Sequence, residues 1–395
     1  MKVTITPKKL SGKIDAIASK SFAHRIMIAA ALADKPTKIN LNTTSEDIEA
    51  TKKCLLYMGA KIEEGDGFII ITPVTYIKNA ELDCNESGST ARFLLPVAST
   101  ICQSFKMSGK GRLPQRPMTP LISQMRLHGV KISSDNIPLE AIGTLNGGRF
   151  EIQGDISSQY ITGLLMALPK CPEKSEIVLT SPLQSRAYVD ITIGVLKQFG
   201  IEITKTENSF IIEPQKFISP QEITVEGDWS NSAFWIVANE LCKNICVEGL
   251  NYNSLQGDMN ILKAKDETCI DASEIPDLVP ILAVLACARK GKTVIYNAER
   301  LRIKESDRLE TVRKSLSSLG ADIEETTDGL IINGTGSLKG GECESFNDHR
   351  IAMSCAIASC ICENEVIIKD AQAVNKSYPK FFKDFESLGG KIIIE

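Results

Sequence analysis

The chain has 395 residues, of which 43% are hydrophobic and 24% charged, and a formal net charge of −4. That length suits two or three domains with full cores, and the acidic balance excludes nonspecific nucleic-acid binding. No apolar run approaches the roughly 20 residues of a membrane span, and Met1 to Leu10 lacks a secretory stretch, so a cytoplasmic location is expected.

From the N-terminus onward, a short loop rich in Ser, Gly or Asp leads into a strongly apolar helix six times. These loops are Ser19-Lys20-Ser21, Ser87-Gly88-Ser89, Ser157-Ser158-Gln159, Ser230-Asn231-Ser232, Ser273-Glu274-Ile275-Pro276-Asp277 and Asn347-Asp348-His349-Arg350. The segments that follow, among them Ile26 to Leu32, Phe234 to Leu241 and Ile351 to Ile361, are too apolar for a surface and predict buried central helices. In step with them runs a second helix that ends in glycine before a strand, at Gly59, Gly129, Gly200, Gly320 and Gly389. These glycines fit the left-handed position just past a helix end. Their spacings of 70, 71, 120 and 69 predict one further, shortened copy, with its helix and turn within Leu255 to Cys269. Six βαβαββ-like units follow as the coarse plan.

Arg300-Leu301-Arg302-Ile303-Lys304-Glu305-Ser306-Asp307-Arg308 is the densest charged stretch. Its alternation of basic and aliphatic residues predicts a strand up to Lys304, and Ser306 or Asp307 then caps a helix that starts near Arg308. Helix starts offer free N–H groups and a partial positive charge. Lys20, Arg25, Arg92 and Arg350 sit at these same loops, and Arg116, Arg308 and Lys376 in others of the repeating plan. Such focusing in an acidic chain implies ligands with several negative charges. The twelve cysteines are scattered, many within apolar patterns and none in a C-x-x-C pair, which reads as free thiols rather than disulfides or a metal site. Lys290-Gly291-Lys292-Thr293 is not a P-loop, because Ala286 stands where its first glycine belongs.

The loops taken together resemble the enolpyruvyl transferases, and among them the 3-phosphoshikimate 1-carboxyvinyltransferase (EPSP synthase) family. The resemblance rests on Ser19-Lys20-Ser21 with Arg25, Ser87 to Arg92, Arg116-Pro117-Met118, Ser157-Ser158-Gln159, Ser185 with Tyr188, Ile275-Pro276-Asp277, Lys304 to Arg308, Asn347 to Arg350 and Lys376 to Pro379, in family order. It implies an α/β (α+β) fold of two inside-out barrel domains, each of three βαβαββ repeats around buried helices. One domain would comprise 19–225, on the shikimate 3-phosphate side, and the other 1–18 plus 226–395, on the phosphoenolpyruvate side, with substrates in the cleft between them. It also implies transfer of the enolpyruvyl group of phosphoenolpyruvate to the 5-hydroxyl of shikimate 3-phosphate, by a monomer, with neither cofactor nor metal.

Residue by residue, the resemblance gives shikimate 3-phosphate to Lys20, Ser21, Arg25, Ser157, Ser158, Gln159, Ser185, Asp277 and Lys304. It gives phosphoenolpyruvate to Lys20, Gly88, Arg116, Gln159, Arg308, Arg350 and Lys376. Glu305 is expected to handle the carbon-bound proton, Asp277 the hydroxyl proton, and Lys20 the developing charge. Ile17-Ala18, Glu86 and Arg300 depart from the commonest family pattern. The sister transferases that use UDP-N-acetylglucosamine carry a reactive cysteine in a loop that here reads Gly109-Lys110-Gly111-Arg112-Leu113-Pro114-Gln115-Arg116. A catalytically silent anion-binding paralogue is the remaining alternative, which retention of Lys20, Asp277, Glu305 and Arg308 together disfavours.

Overall fold

The computed structural model describes residues 1–395. Two strands, β1 (Val3–Thr6) and β2 (Gly12–Asp15), open the chain. Six repeats then follow. The first runs α1 (Lys20–Leu32), β3 (Thr37–Asn40), α2 (Glu46–Tyr57), β4 (Lys61–Gly65) and β5 (Phe68–Thr72). The second is β6 (Ile77–Asp83), α3 (Gly88–Ile101), β7 (Cys102–Ser108), α4 (Thr119–Leu127), β8 (Lys131–Ile132) and β9 (Leu139–Ile142). The third is β10 (Arg149–Ile152), α5 (Ser158–Ala167), β11 (Ser175–Leu179), α6 (Arg186–Gln198), β12 (Ile203–Lys205) and β13 (Ser209–Ile212).

The fourth repeat keeps β14 (Glu222–Thr224), α7 (Trp229–Cys242) and β15 (Ile245–Glu248), then shrinks to the single-turn α8 (Ile261–Ala264) with no hairpin after it. The fifth restores the plan with β16 (Cys269–Asp271), α9 (Val279–Cys287), β17 (Lys290–Tyr296), α10 (Arg308–Ser318), β18 (Asp322–Glu325) and β19 (Leu330–Thr335). The sixth is β20 (Gly341–Glu344), α11 (His349–Ala358), β21 (Val366–Lys369), α12 (Phe381–Ser387) and β22 (Lys391–Ile394).

Chain contacts divide these elements into two units, Ala18–Val225 and Met1–Ile17 with Glu226–Glu395. The unit Ala18–Val225 holds three four-stranded sheets, ordered β14-β3-β5-β4, β6-β7-β9-β8 and β10-β11-β13-β12. In each, the first pair is parallel and the other two antiparallel. The unit Met1–Ile17 with Glu226–Glu395 has two such sheets, β16-β17-β19-β18 and β20-β21-β1-β22, and a parallel pair β15-β2. The truncated repeat has therefore kept its parallel pair and lost its hairpin. Its strand β14 pairs with β3 of the first repeat, while β2 pairs with β15, so the two crossovers of the chain exchange leading strands.

Each core forms around its leading helices. Almost every residue of α1, α3, α5, α9 and α11 is buried, as the apolar runs require. At Gly163 a Cβ would lie 2.3 Å from the Arg92 carbonyl oxygen, so glycine is what lets α5 lie against α3. The five helix-ending glycines all have φ between +76° and +97°. Lys290–Tyr296 is strand, which agrees with the rejection of a P-loop. No helix is long and apolar enough to cross a membrane.

Two local expectations fail. Arg300 to Lys304 is not a strand: Glu299–Ile303 forms a 3₁₀ turn that buries Leu301 and leaves Ile303 37% exposed. Arg300 reaches the Ser273 carbonyl and Arg302 those of Thr326 and Thr327, bonds that bend the segment back on its neighbours. Ser230-Asn231-Ser232, expected as a loop before its helix, is instead the first turn of α7, which Asp228 caps by accepting from Asn231 N at 2.7 Å.

Candidate active-site clusters at the helix starts

In the unit Ala18–Val225, the starts of α1, α3 and α5 carry the predicted polar residues. Ser87 caps α3 and Ser157 caps α5, each accepting from a backbone N–H. Lys20 donates to Asp47 at 2.6 Å, so its charge is balanced by a carboxylate that sequence patterns did not single out. Arg25 is buried, and its acceptors are all neutral. Its Nε donates to Thr192 Oγ1 at 2.8 Å, Nη1 to the Ser21 carbonyl at 2.7 Å and Nη2 to the Tyr188 carbonyl at 3.0 Å. Burial pushes it down to about 9, because no carboxylate stands against its charge. A bound anion would supply that counter-charge.

Arg92 donates to Gln159 Oε1 at 2.7 Å and to the Pro117 carbonyl at 3.0 Å, while Gln159 Nε2 donates to Ser89 Oγ at 3.0 Å. This chain ties the α3 start, the α5 start and the Arg116-Pro117 loop together. Arg116 is buried, and a Cβ on Gly88 would meet its Nη1 at 2.7 Å and Arg92 Nη1 at 2.8 Å. Gly88 thus makes room for two guanidinium groups. Ser158 and Ser185 are buried, and Ser185 is left-handed with φ 52° at the start of α6, a conformation uncommon outside glycine. Glu86 turns toward the basic loop, its carboxyl within 2.4 Å of where a Cβ on Gly111 would stand.

In the other unit, the centre is Arg308 on the first turn of α10. It is fully buried; Nε donates to Asp348 Oδ2 at 2.8 Å, Nη1 to Asp277 Oδ1 at 2.7 Å and Nη2 to Glu305 Oε2 at 2.8 Å. Burial works against its charge, but these three carboxylates outweigh it and hold Arg308 firmly protonated. Asp307 caps the helix by accepting from Glu310 N. Arg350, on the start of α11, donates to Asp277 Oδ2 at 3.2 Å and to Ser230 Oγ at 2.7 Å. Lys304 lies 3.6 Å from Asp277, and Lys376 donates to the Asn347 carbonyl at 2.6 Å. Phe346 and Asn347, both left-handed, turn the chain into α11. Burial alone would raise Asp277, but Arg350, Lys304 and Arg308 reverse that and hold it well below the usual carboxylate range.

Sequence patterns missed two residues here. Asp348 was visible only as part of a motif, yet it is the buried partner that fixes Arg308. Asp258 comes from the truncated repeat, where no periodicity marks it. It is buried, receives a hydrogen bond from Ser230, and is pushed up to about 7 by burial and by the charge of Asp277. The predicted residues thus form two sets: Lys20, Ser21, Arg25, Gly88, Arg116, Ser157, Ser158, Gln159 and Ser185 in one unit, and Asp277, Lys304, Glu305, Arg308, Arg350 and Lys376 in the other.

The chain as a whole is similar to known proteins. The sequence profile described as EPSP synthase (3-phosphoshikimate 1-carboxyvinyltransferase) matches residues 5–269 and 262–385, the two stretches overlapping at 262–269, from within α8 to the first residue of β16. A 3-phosphoshikimate 1-carboxyvinyltransferase of Clostridium novyi (strain NT) is 42% identical, covering 99% of this chain and 98% of that protein. One from Clostridioides difficile (strain 630) is 40% identical, covering 98% and 97%. The solved structure of EPSP synthase from Acinetobacter baumannii superimposes with a TM-score of 0.82 over 100% of both chains at 24% identity, which speaks for the fold. On this match of sequence along nearly its whole length, the chain belongs to the EPSP synthase (3-phosphoshikimate 1-carboxyvinyltransferase) family.

Proposed function

We propose that the chain transfers the 1-carboxyvinyl group of phosphoenolpyruvate to the 5-hydroxyl of shikimate 3-phosphate and releases phosphate, as a transferase of the shikimate pathway of aromatic amino-acid biosynthesis. The observation that carries this reading is the Arg308 cluster. Two carboxylates, Asp277 and Glu305, stand beside three cations, which is what an anionic substrate undergoing proton transfer requires.

In this reading Ser21, Arg25, Ser157, Ser158, Ser185, Asp277 and Lys304 hold shikimate 3-phosphate, and Gly88, Arg116, Arg308, Arg350 and Lys376 hold phosphoenolpyruvate. Lys20 and Gln159 touch both. Glu305 delivers a proton to the methylene carbon, the 5-hydroxyl oxygen adds to the neighbouring carbon, and Asp277 takes the hydroxyl proton. Glu305 then recovers a proton from the new methyl group as the C–O bond to phosphate breaks and the double bond returns, and the hydroxyl proton held by Asp277 departs with the phosphate. Asp277 is a feeble base while three cations face it. Substrate phosphates and carboxylates engage those cations, so binding itself raises its basicity. Lys20 balances the negative charge that develops on the substrates. These steps move protons and no net electrons. The enzyme acts as a monomer in the cytoplasm.

Phosphate release tests the reading. Purified protein is given phosphoenolpyruvate with shikimate 3-phosphate or with UDP-N-acetylglucosamine. Release with only the first acceptor is expected; release with neither would refute transferase activity. Glu305→Gln is expected to lower kcat at least about 100-fold, within the range for a general acid–base group, while calorimetry still finds shikimate 3-phosphate bound. Loss of that binding would make Glu305 a scaffold residue instead.

A further inference from the structure

Arg25 and Arg308 are both buried, and their charges are met in opposite ways. Arg308 faces three carboxylates, those of Asp348, Asp277 and Glu305. Arg25 faces none. Four helices of the unit Ala18–Val225 close around it. Helix α1 carries it, α3 lays the Phe93 ring 4.9 Å from its guanidinium carbon, and α5 and α6 bring Thr162 and Thr192. Both threonines are fully buried, and none of the roles assigned above uses either of them.

Hydrogen bonding fixes which way both hydroxyls point. Thr192 Oγ1 donates its single proton to the Tyr188 carbonyl at 2.9 Å, one turn back along α6. It therefore accepts from Arg25 Nε at 2.8 Å and from Thr162 Oγ1 at 2.9 Å. Thr162 has then given its own proton to Thr192 and turns a lone pair to Arg25 Nη2 at 3.4 Å. A hydroxyl bonded to the carbonyl one turn back is common in helices and would by itself be a local feature. Thr162 makes no such bond; its partners are Thr192 and Arg25, both on other helices. A guanidinium has five N–H donors. Nε and Nη2 use three of them on Thr192, Thr162 and the Tyr188 carbonyl, and Nη1 gives one to the Ser21 carbonyl at 2.7 Å. The donor left over belongs to Nη1, the nitrogen that meets half-buried Ser21 at the polar start of α1.

We propose that Thr162 and Thr192 are positioning residues for shikimate 3-phosphate. They hold the Nε and Nη2 side of Arg25 with neutral acceptors, so its orientation is fixed while its charge and its last donor remain for the substrate. The inference rests on the assignment of Arg25 to that substrate. A carboxylate at either position would orient the guanidinium equally well, but it would also satisfy the charge before any substrate arrived. Hydroxyl oxygens orient without neutralising. An anion reaching Nη1 then meets a cation that is already ordered, so little side-chain entropy is lost on binding.

Steady-state kinetics and calorimetry on the full-length protein test this. Thr192→Val keeps the side-chain shape and removes the hydroxyl. The KM and Kd for shikimate 3-phosphate are expected to rise about 10-fold, the size of one lost hydrogen bond to a charged group, while the KM for phosphoenolpyruvate stays unchanged. Thr192→Ser is expected to restore the wild-type values, which a role in packing alone would not allow, because serine lacks the methyl group. Thr192→Asp is expected to bind shikimate 3-phosphate more weakly than Thr192→Val does, since its carboxylate satisfies the charge; binding as tight as the wild type would overturn the argument for neutral acceptors. Should the buried aspartate fail to fold, Thr162→Val decides, with the same KM expected to rise and the other to hold. Unchanged shikimate 3-phosphate binding in both valine variants, or an equal rise in both KM values, overturns the proposal. Arg25→Ala separates the two levels of the reading. If it leaves shikimate 3-phosphate binding intact, the assignment of Arg25 falls and this inference with it. If it abolishes binding while the valine variants match the wild type, only the role of the threonines falls.

Discussion

Asp258 shows at the level of one side chain how charge is managed around the proposed phosphoenolpyruvate cations. It faces Asp277, Asp228 and Arg350, with Ser230 between it and the guanidinium. Its folded value of about 7 lies above the ordinary 3.9 or so of an aspartate. Between those pH values the folded protein keeps a proton that the unfolded chain has lost, so this group stabilises the fold fully at acid pH. That contribution drains away as pH rises through about 7. In Asp258→Asn the drain is absent. Urea midpoints measured from pH 5 to 8 should therefore fall less steeply with pH for the variant than for the wild type, and parallel curves would show that Asp258 does not titrate there. Arg25 illustrates the opposite arrangement, a buried cation whose hydrogen bonds end on hydroxyl and carbonyl oxygens, with no carboxylate against its charge.

Among the elements, the six leading helices do two jobs at once. Their bodies are core, except that the second half of α7, expected buried as far as Leu241, stays partly exposed from Asn239 on; their first turns hold the polar residues, so packing errors along a helix are transmitted to those residues. The contact of α3 with α5 at Gly163 is the clearest case, since a Cβ there would stand 2.3 Å from backbone. Gly163→Ala is expected to cost about 1–3 kcal/mol, the range for an overpacked core, and to disturb the Arg92–Gln159 bond on the same two helices. Thermal denaturation together with the KM for phosphoenolpyruvate checks it. A stability loss without any change in KM would mean that the helices part elsewhere. The truncated repeat has lost a hairpin, yet its short turn from Gly257 brings Asp258 to Ser230. No regular helical pattern could have announced that placement.

For the molecule as a whole, the chain visits one unit, builds the other, and returns. Strand β1 sits inside the sheet β20-β21-β1-β22, and β2 is the only partner of β15. Segment 1–17 is therefore structural for the unit it joins, while 18–225 carries all the strands of its own three sheets. Expressed alone, 18–225 is expected to give cooperative unfolding by circular dichroism, and 226–395 to remain unfolded until 1–17 is supplied in the same chain. A folded 226–395 would show that β1 and β2 are dispensable. The repeat, the buried helices and the ordered polar loops were legible in the sequence because each follows from a local rule: apolar runs need burial, left-handed helix ends favour glycine, and helix starts favour Ser or Asp. Family membership followed from the order of those loops. The 3₁₀ turn at Glu299–Ile303 was not legible, since alternation of Arg and Leu has the same look in a strand, and only carbonyls brought near by the fold chose the turn. Asp47, Asp348 and Asp258 were equally hidden as partners of Lys20, Arg308 and Ser230, because a salt bridge across 27 or 40 positions leaves no periodic trace. Sequence by itself determined which helices are buried and which residues stand at their starts; tertiary structure alone decided which carboxylate meets which cation, because that depends on distances between segments far apart along the chain.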